Sequence, residues 1–166
     1  PVPVRELEAW LASPRARMWS PAYYGTESGE AKPLLTFSSP VSRGGRVIGA
    51  LHLLVDPAGR FSEIMMIARP GASGETYAFD SEGRMISQSR FPEQLAAAGL
   101  LPDAATTTIL QVDVRDPGVS LPDGGQAAFP RRQQPLTRMV QAALASGRGS
   151  DVDGYNDYRG VPVVGA

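Results

Sequence analysis

The chain has 166 residues, 42% of them hydrophobic and 20% charged, enough to bury a real core and too apolar for wholesale disorder. Sixteen basic side chains stand against seventeen acidic ones, giving a net charge of −1, so the basic footprint of a nucleic-acid-binding protein is absent. Cysteine is absent as well, which excludes disulfides, thiolate metal sites and cysteine nucleophiles.

Apart from Lys32, every lysine-or-arginine position is arginine, a bias read as high-GC codon usage and hence a bacterial source. No stretch reaches the ~18 to 20 consecutive apolar residues of a membrane span. Residues 1–8 lack the charged and apolar regions of a signal peptide, so the chain as given is expected to be soluble. Eighteen glycines and fifteen prolines cut it into short elements whose periods alternate between strand-like and helix-like, which predicts an α/β or α+β layout.

In chain order, residues 5–11 read as a short helix with Leu7, Trp10 and Leu11 on one side, ended by Pro14. Residues 34–41 and 47–55 read as strands joined by Ser42-Arg43-Gly44-Gly45, a hairpin turn. Asp56-Pro57 has the form of an N-cap followed by proline at the first helical position, with Phe61, Ile64, Met65 and Ala68 at helical spacing. A second hairpin is expected from residues 76–80 and 84–89 around Ser81-Glu82-Gly83, then a short helix at 92–98 ended by Gly99. Residues 109–115 alternate like a strand, 117–130 form a turn-rich loop, and Pro135 opens a last helix carrying Leu136, Met139, Val140 and Leu144 up to Gly147. A third hairpin, 154–158 with 161–166, closes the chain.

An internal echo links the first hairpin to the last. Residues 43–50 and 159–166 both follow R-G-x-x-V-[IV]-G-A, which predicts a duplicated sheet unit, the second copy ending on a strand whose partner is missing.

Five segments in order carry a family resemblance: Pro21-Ala-Tyr-Tyr-Gly-Thr-Glu-Ser-Gly29, Leu35-Thr-Phe-Ser-Ser-Pro-Val41, Val47-Ile-Gly-Ala-Leu51, Gly74-Glu-Thr-Tyr-Ala-Phe-Asp80 with Gly83, and Asp157-Tyr-Arg-Gly-Val-Pro-Val-Val-Gly-Ala166. Together they resemble a double Cache (dCache) domain, the extracytoplasmic sensor of bacterial transmembrane signalling receptors. That resemblance implies two PAS-like units, each a small antiparallel sheet with flanking helices, packed along an N-terminal helix. The membrane-distal, ligand-binding unit would span residues 1–95, and an incomplete membrane-proximal unit residues 96–166. The closing segment, Arg115-Asp-Pro-Gly118 and Gln134-Pro-Leu-Thr137 look most like sensors attached to kinases and cyclases rather than chemoreceptors. Flanking transmembrane helices in the full-length protein, a periplasmic location and weak homodimerisation are further implications.

In the amino-acid-sensing branch of that family, Arg-x-Trp-Tyr on a helix, Tyr-x-Asp on a loop and an Asp on the strand after the hairpin hold carboxylate and ammonium. Here those positions read Glu8-Ala9-Trp10-Leu11, Tyr23-Tyr24-Gly25 and Leu54, so the charged anchors are missing and an α-amino acid is not the expected ligand.

Strand alternation places Ala50, His52 and Leu54 on one face and Leu51, Leu53 and Val55 on the other. With Leu54 at the family's pocket position, His52, the single histidine, also points into the pocket; the competing role is a hydrogen-bonded histidine on a sheet surface. Trp19, Tyr23 and Tyr24, expected just before the first sheet strand, are aromatic wall candidates that core packing would equally explain. Arg17 and Arg15 stand in as carboxylate anchors, against a default of exposure. Tyr77, on the strand leading to Asp80, reaches for the pocket floor, with sheet packing as its alternative.

Catalytic motifs are absent: there is no phosphate-binding G-x-x-x-x-G-K-[ST], no G-x-S-x-G and no H-E-x-x-H. Asp151, Asp153 and Asp157 are close enough in sequence for a calcium turn, but lack the spacing and distal glutamate of an EF-hand, so a solvated turn is expected. The reading is a non-enzymatic, cofactor-free small-molecule sensor without a metal site. Its rivals are an ectodomain that dimerises or docks a protein partner, and a hydrolase needing two converging acids.

Overall fold

The computed structural model describes residues 18–27 and 30–165. The chain is α+β, with two small antiparallel sheets and a few short helices, and divides into two compact units between Glu63 and Ile64. Among the described residues no helix is long and apolar enough to cross a membrane. The helix expected at 5–11 lies outside the described residues.

The first unit is a three-stranded sheet of β1 (Met18–Glu27), β2 (Glu30–Arg43) and β3 (Arg46–Val55), in the order β1-β2-β3. The β2–β3 hairpin turns on Gly44 and Gly45, with φ of 56° and 78°, a left-handed pair that only glycine adopts without strain. Its register sets Thr36 opposite Leu54 and Ser38 opposite His52, and Phe37 opposite Leu53 on the other face, as the alternation predicts.

Residues 18–27 are not a segment leading into the sheet but its first strand. The local pattern hides this because Pro21 and Gly25 interrupt it. An edge strand tolerates proline, and the register shift between Ser20 and Tyr23 absorbs the interruption.

After β3, Asp56 caps a helical turn (Pro57–Phe61), its Oδ1 accepting from Ala58 N at 2.8 Å, with Pro57 in the first position. Helix α1 (Ser62–Ile67) follows; Phe61 and Met65 are half-buried while Ile64 and Ala68 are exposed, so only part of the expected apolar stripe is covered.

The second unit gathers Met85, Leu95, Leu101, Val112, Val114, Val140 and Tyr158 into one core. Tyr77 and Phe79 pack against this core. The expected hairpin around Gly83 is present: Asp80 N donates to Arg84 O and Ile86 N to Ala78 O, with Phe79 opposite Met85. Asp80 locks the turn, its Oδ1 accepting from Glu82 N and Arg84 N and its Oδ2 from Arg84 Nε, each at 2.9 Å. Gly83 has a φ of 77°, and a Cβ there would clash with Leu136 Cδ2, so the position needs glycine twice over.

Helix α2 (Pro92–Ala97) ends before Gly99, as expected. Residues 109–115 are paired at single bridges rather than as a continuous strand, because Leu110 at φ 62° turns the chain after its N–H bonds Met85 O. Helix α3 (Arg138–Ser146) starts three residues later than Pro135. Pairing explains the delay: Pro135 O accepts from Asp116 N at 2.9 Å and Leu136 bridges Arg115, holding both residues extended. The last hairpin joins β4 (Asp151–Asn156) to β5 (Pro162–Gly165) around Gly160, whose φ is 77°.

Candidate functional site

In the first unit, His52 and Leu54 stand on one sheet face, and the His52 ring Nδ1 lies 2.8 Å from Ser38 Oγ. His52 is exposed, and Leu54 is 57% exposed. The β1 register sets Tyr23 opposite Leu34, in the row of Thr36 and Ser38, but sets Trp19 opposite Phe37 and Tyr24 opposite Pro33, in the other row. By register Tyr23 falls in the row of His52 and Leu54, and Trp19 and Tyr24 in the other row. Arg17 lies outside the described residues.

The second unit holds an open cleft of about 1060 Å³. Residues 74–79 form one wall, the β4–β5 hairpin the other, and Met139, Val140 and Ala143 of α3 the floor. Tyr77, one of the ligand-contact candidates from the sequence, lines this cleft. Its ring meets Tyr158 edge-on at 5.4 Å and 84°, and Phe79 at 6.4 Å.

A polar cluster anchors the first wall. The Tyr158 hydroxyl donates to Glu75 Oε2 at 2.6 Å and shares a hydrogen bond with Ser89 Oγ at 2.7 Å, while Glu75 Oε1 accepts from Arg90 N at 2.6 Å. Burial, reinforced by the neighbouring Glu75 charge, holds the Tyr158 phenol well above its ordinary range. Burial does the same to Tyr77, with Tyr155, Glu75 and Asp157 adding to it, and Tyr155 is raised chiefly by burial. All three phenols stay neutral at physiological pH and act as hydrogen-bonding groups rather than anions.

Opposite them, Asp157 Oδ2 accepts from Arg159 Nε at 2.9 Å and Nη2 at 2.6 Å, and its Oδ1 accepts from Arg159 N and Val161 N. Arg159 Nη1 donates to Gln94 Oε1 at 2.7 Å, and the guanidinium stacks 3.6 Å from the Phe91 ring centroid. Arg159 is only 6% exposed. The ion pair is thus fully hydrogen-bonded, the condition under which a buried charge is tolerated.

Within the cleft lining Asp157 and Arg159 are thus paired and Glu75 is held by the Tyr158 hydroxyl and Arg90 N, beside the aromatic and aliphatic side chains that line the cleft. The acidic turn is likewise occupied: Asp151 Oδ1 accepts from Asp153 N and Gly154 N at 3.1 Å, its Oδ2 meets Arg138 Nε at 3.0 Å, and Asp157 is held by Arg159. Among the described residues no group of three or more His, Cys, Asp or Glu side chains is placed to hold a metal ion.

Sequence reasoning did not single out Glu75, Tyr155 or the Asp157–Arg159 pair as site residues. The Asp-x-Arg-Gly spacing was a usable signal, since an aspartate two residues before an arginine at a glycine turn can cap the turn and bind the guanidinium together. Compared with known protein families, curated proteins and solved structures, the chain finds no match.

Proposed function

We propose that this chain is a non-enzymatic sensing module: the extracytoplasmic part of a bacterial transmembrane receptor, built of PAS-like units of the double Cache type, which responds to a small ligand. The observation that supports this reading is the cleft of the second unit. Two parts of the chain that are far apart in sequence, residues 70–79 and residues 139–165, line it, so an occupant touches both and favours one arrangement of them over another. Such differential binding shifts a receptor between signalling states, here with a kinase or cyclase as the output. With Asp157 and Arg159 paired and Glu75 held by hydrogen bonds, the aromatic and aliphatic part of the lining suits a ligand with an apolar body better than a free α-amino acid.

Thermal unfolding of the 166-residue chain against carboxylates, amino acids, amines, purines and short peptides tests this. The expected result is a concentration-dependent rise in midpoint for one class of ligand, lost in Tyr155→Ala. A flat panel overturns the sensor reading. It would favour the second reading, a dimerisation or protein-docking ectodomain, whose support is the exposed apolar run of Ile48, Leu51, Leu53 and Leu54 along β3.

A further inference from the structure

The walls of the cleft present main-chain edges as well as side chains, and these edges restrict what fits between them. In the hairpin around Gly83, alternate residues of the first wall bond away from the cleft: Ala78 O accepts from Ile86 N at 2.8 Å, Ala78 N donates to Ser87 Oγ at 2.9 Å, and Asp80 N donates to Arg84 O at 2.9 Å. Successive main-chain groups of an extended segment point to opposite edges, so Tyr77 and Phe79 turn their N–H and C=O groups to the edge away from residues 84–86. No described main-chain group takes them up.

The second wall has the same character. Asp157 N donates to Val161 O at 2.9 Å and Tyr155 pairs with Val163, so Val161 and Val163 bond inward to β4. Pro162 and Val164 carry the other edge of β5, which no described strand covers. Tyr77, Phe79, Pro162 and Val164 all line the one cleft. Two unpaired edges thus border a groove floored by Met139, Val140 and Ala143.

Size agrees with this geometry. A strand in a sheet fills about 3.3 Å along its axis, about 4.8 Å across and about 10 Å through the layer per residue, so the cleft of about 1060 Å³ holds roughly six to seven residues of extended chain. We infer that the cleft is a strand-acceptor groove, whose ligand is an extended peptide segment of about six residues, apolar at alternate positions, that pairs through its main chain with the edges at Tyr77–Phe79 and Pro162–Val164. The inference rests on the sensor reading of this cleft and names the chemical class of its ligand. Main-chain pairing supplies affinity, and α3 selects apolar side chains on the face that it covers.

Amide hydrogen exchange on the 166-residue chain tests it, using a blocked synthetic heptapeptide of alternating threonine and valine and the same peptide N-methylated on alternate residues. The expected result is slowing of the Tyr77, Phe79 and Val164 amides by on the order of tenfold or more with the unmethylated peptide only, an effect weakened in Val164→Pro, which removes one donor from the open edge. Equal slowing by both peptides overturns the inference, because recognition then does not run through the main chain. No slowing by either, with a small molecule still raising the unfolding midpoint, overturns the peptide class and leaves the sensor reading standing. No slowing together with a flat panel overturns both.

Discussion

The two copies of R-G-x-x-V-[IV]-G-A have the same backbone logic and opposite environments. Gly44 and Gly160 both take a left-handed φ, 56° and 77°, directly after the arginine. Three positions further on the copies still agree: Val47 and Val163 are half-buried, while Ile48 and Val164 are 61% and 68% exposed. The arginines and glycines diverge. Arg43 and Gly44 are exposed at a hairpin tip, whereas Arg159 is buried in its pairing with Asp157 and Gly160 is packed against the main chain of Val119. A short pattern therefore specifies a turn and the alternation that follows it, and the surroundings decide whether its polar head is solvated or structural.

The sharpest break of this comparison is arginine removal. Arg159→Ala leaves Asp157 buried without its partner and is expected to destabilise the second unit by about 3–5 kcal/mol, while Arg43→Ala stays within about 0.5 kcal/mol of the parent. Midpoints of urea unfolding measure both; equal effects would dissolve the distinction between the copies. Glycine comes next. Gly44→Ala meets open space and costs about 1–2 kcal/mol for its left-handed φ alone. Gly160→Ala adds a Cβ that clashes with Val119 O of the main chain, so its loss in the same assay exceeds that of Gly44→Ala.

A smaller effect is expected at the polar cluster of the first wall. Tyr158→Phe removes the donor to Glu75 Oε2 and the partner of Ser89 Oγ, a loss of about 1–3 kcal/mol.

The same phenol sets a pH dependence. Tyr158 and Tyr77 are raised in the folded state, so above about pH 10, the ordinary tyrosine value, the unfolded chain releases protons that the native state keeps. Stability is then complete below that pH and falls as pH rises, by about 1.4 kcal/mol per pH unit for each such phenol. Arg131, lowered to about 10 by burial, works in the opposite sense, one group against three, since Tyr155 is raised as well. Unfolding midpoints between neutral and strongly alkaline pH measure the slope, and Tyr158→Phe should make it shallower.

Much of the local structure was legible because its signals are local. The glycines at the hairpin turns, the Asp56-Pro57 start and Gly99 and Gly147 as stops each act through the φ/ψ of one or two residues, and each is found where it was read. Misreadings occur where a partner distant in sequence overrides the local pattern. Pairing with β2 draws residues 18–27 into the sheet despite Pro21, and pairing with Arg115 and Asp116 keeps Pro135 and Leu136 out of α3. The candidate site divided along the same line. Tyr77 was legible as an aromatic on a strand, but the Asp157–Arg159 pair was read as a motif, because its stacking on Phe91 and bond to Gln94 join residues more than sixty positions apart.

By itself, then, the sequence determined the α+β alternation, the positions of the turns and the faces of the hairpin strands, since these follow from backbone freedom and side-chain period over a few residues. Only the tertiary structure decided which of two matching arginines is buried, where α3 begins, and that the cleft lies between residues 74–79 and the last hairpin. Burial and pairing depend on which distant segments come together, and no local pattern encodes that choice.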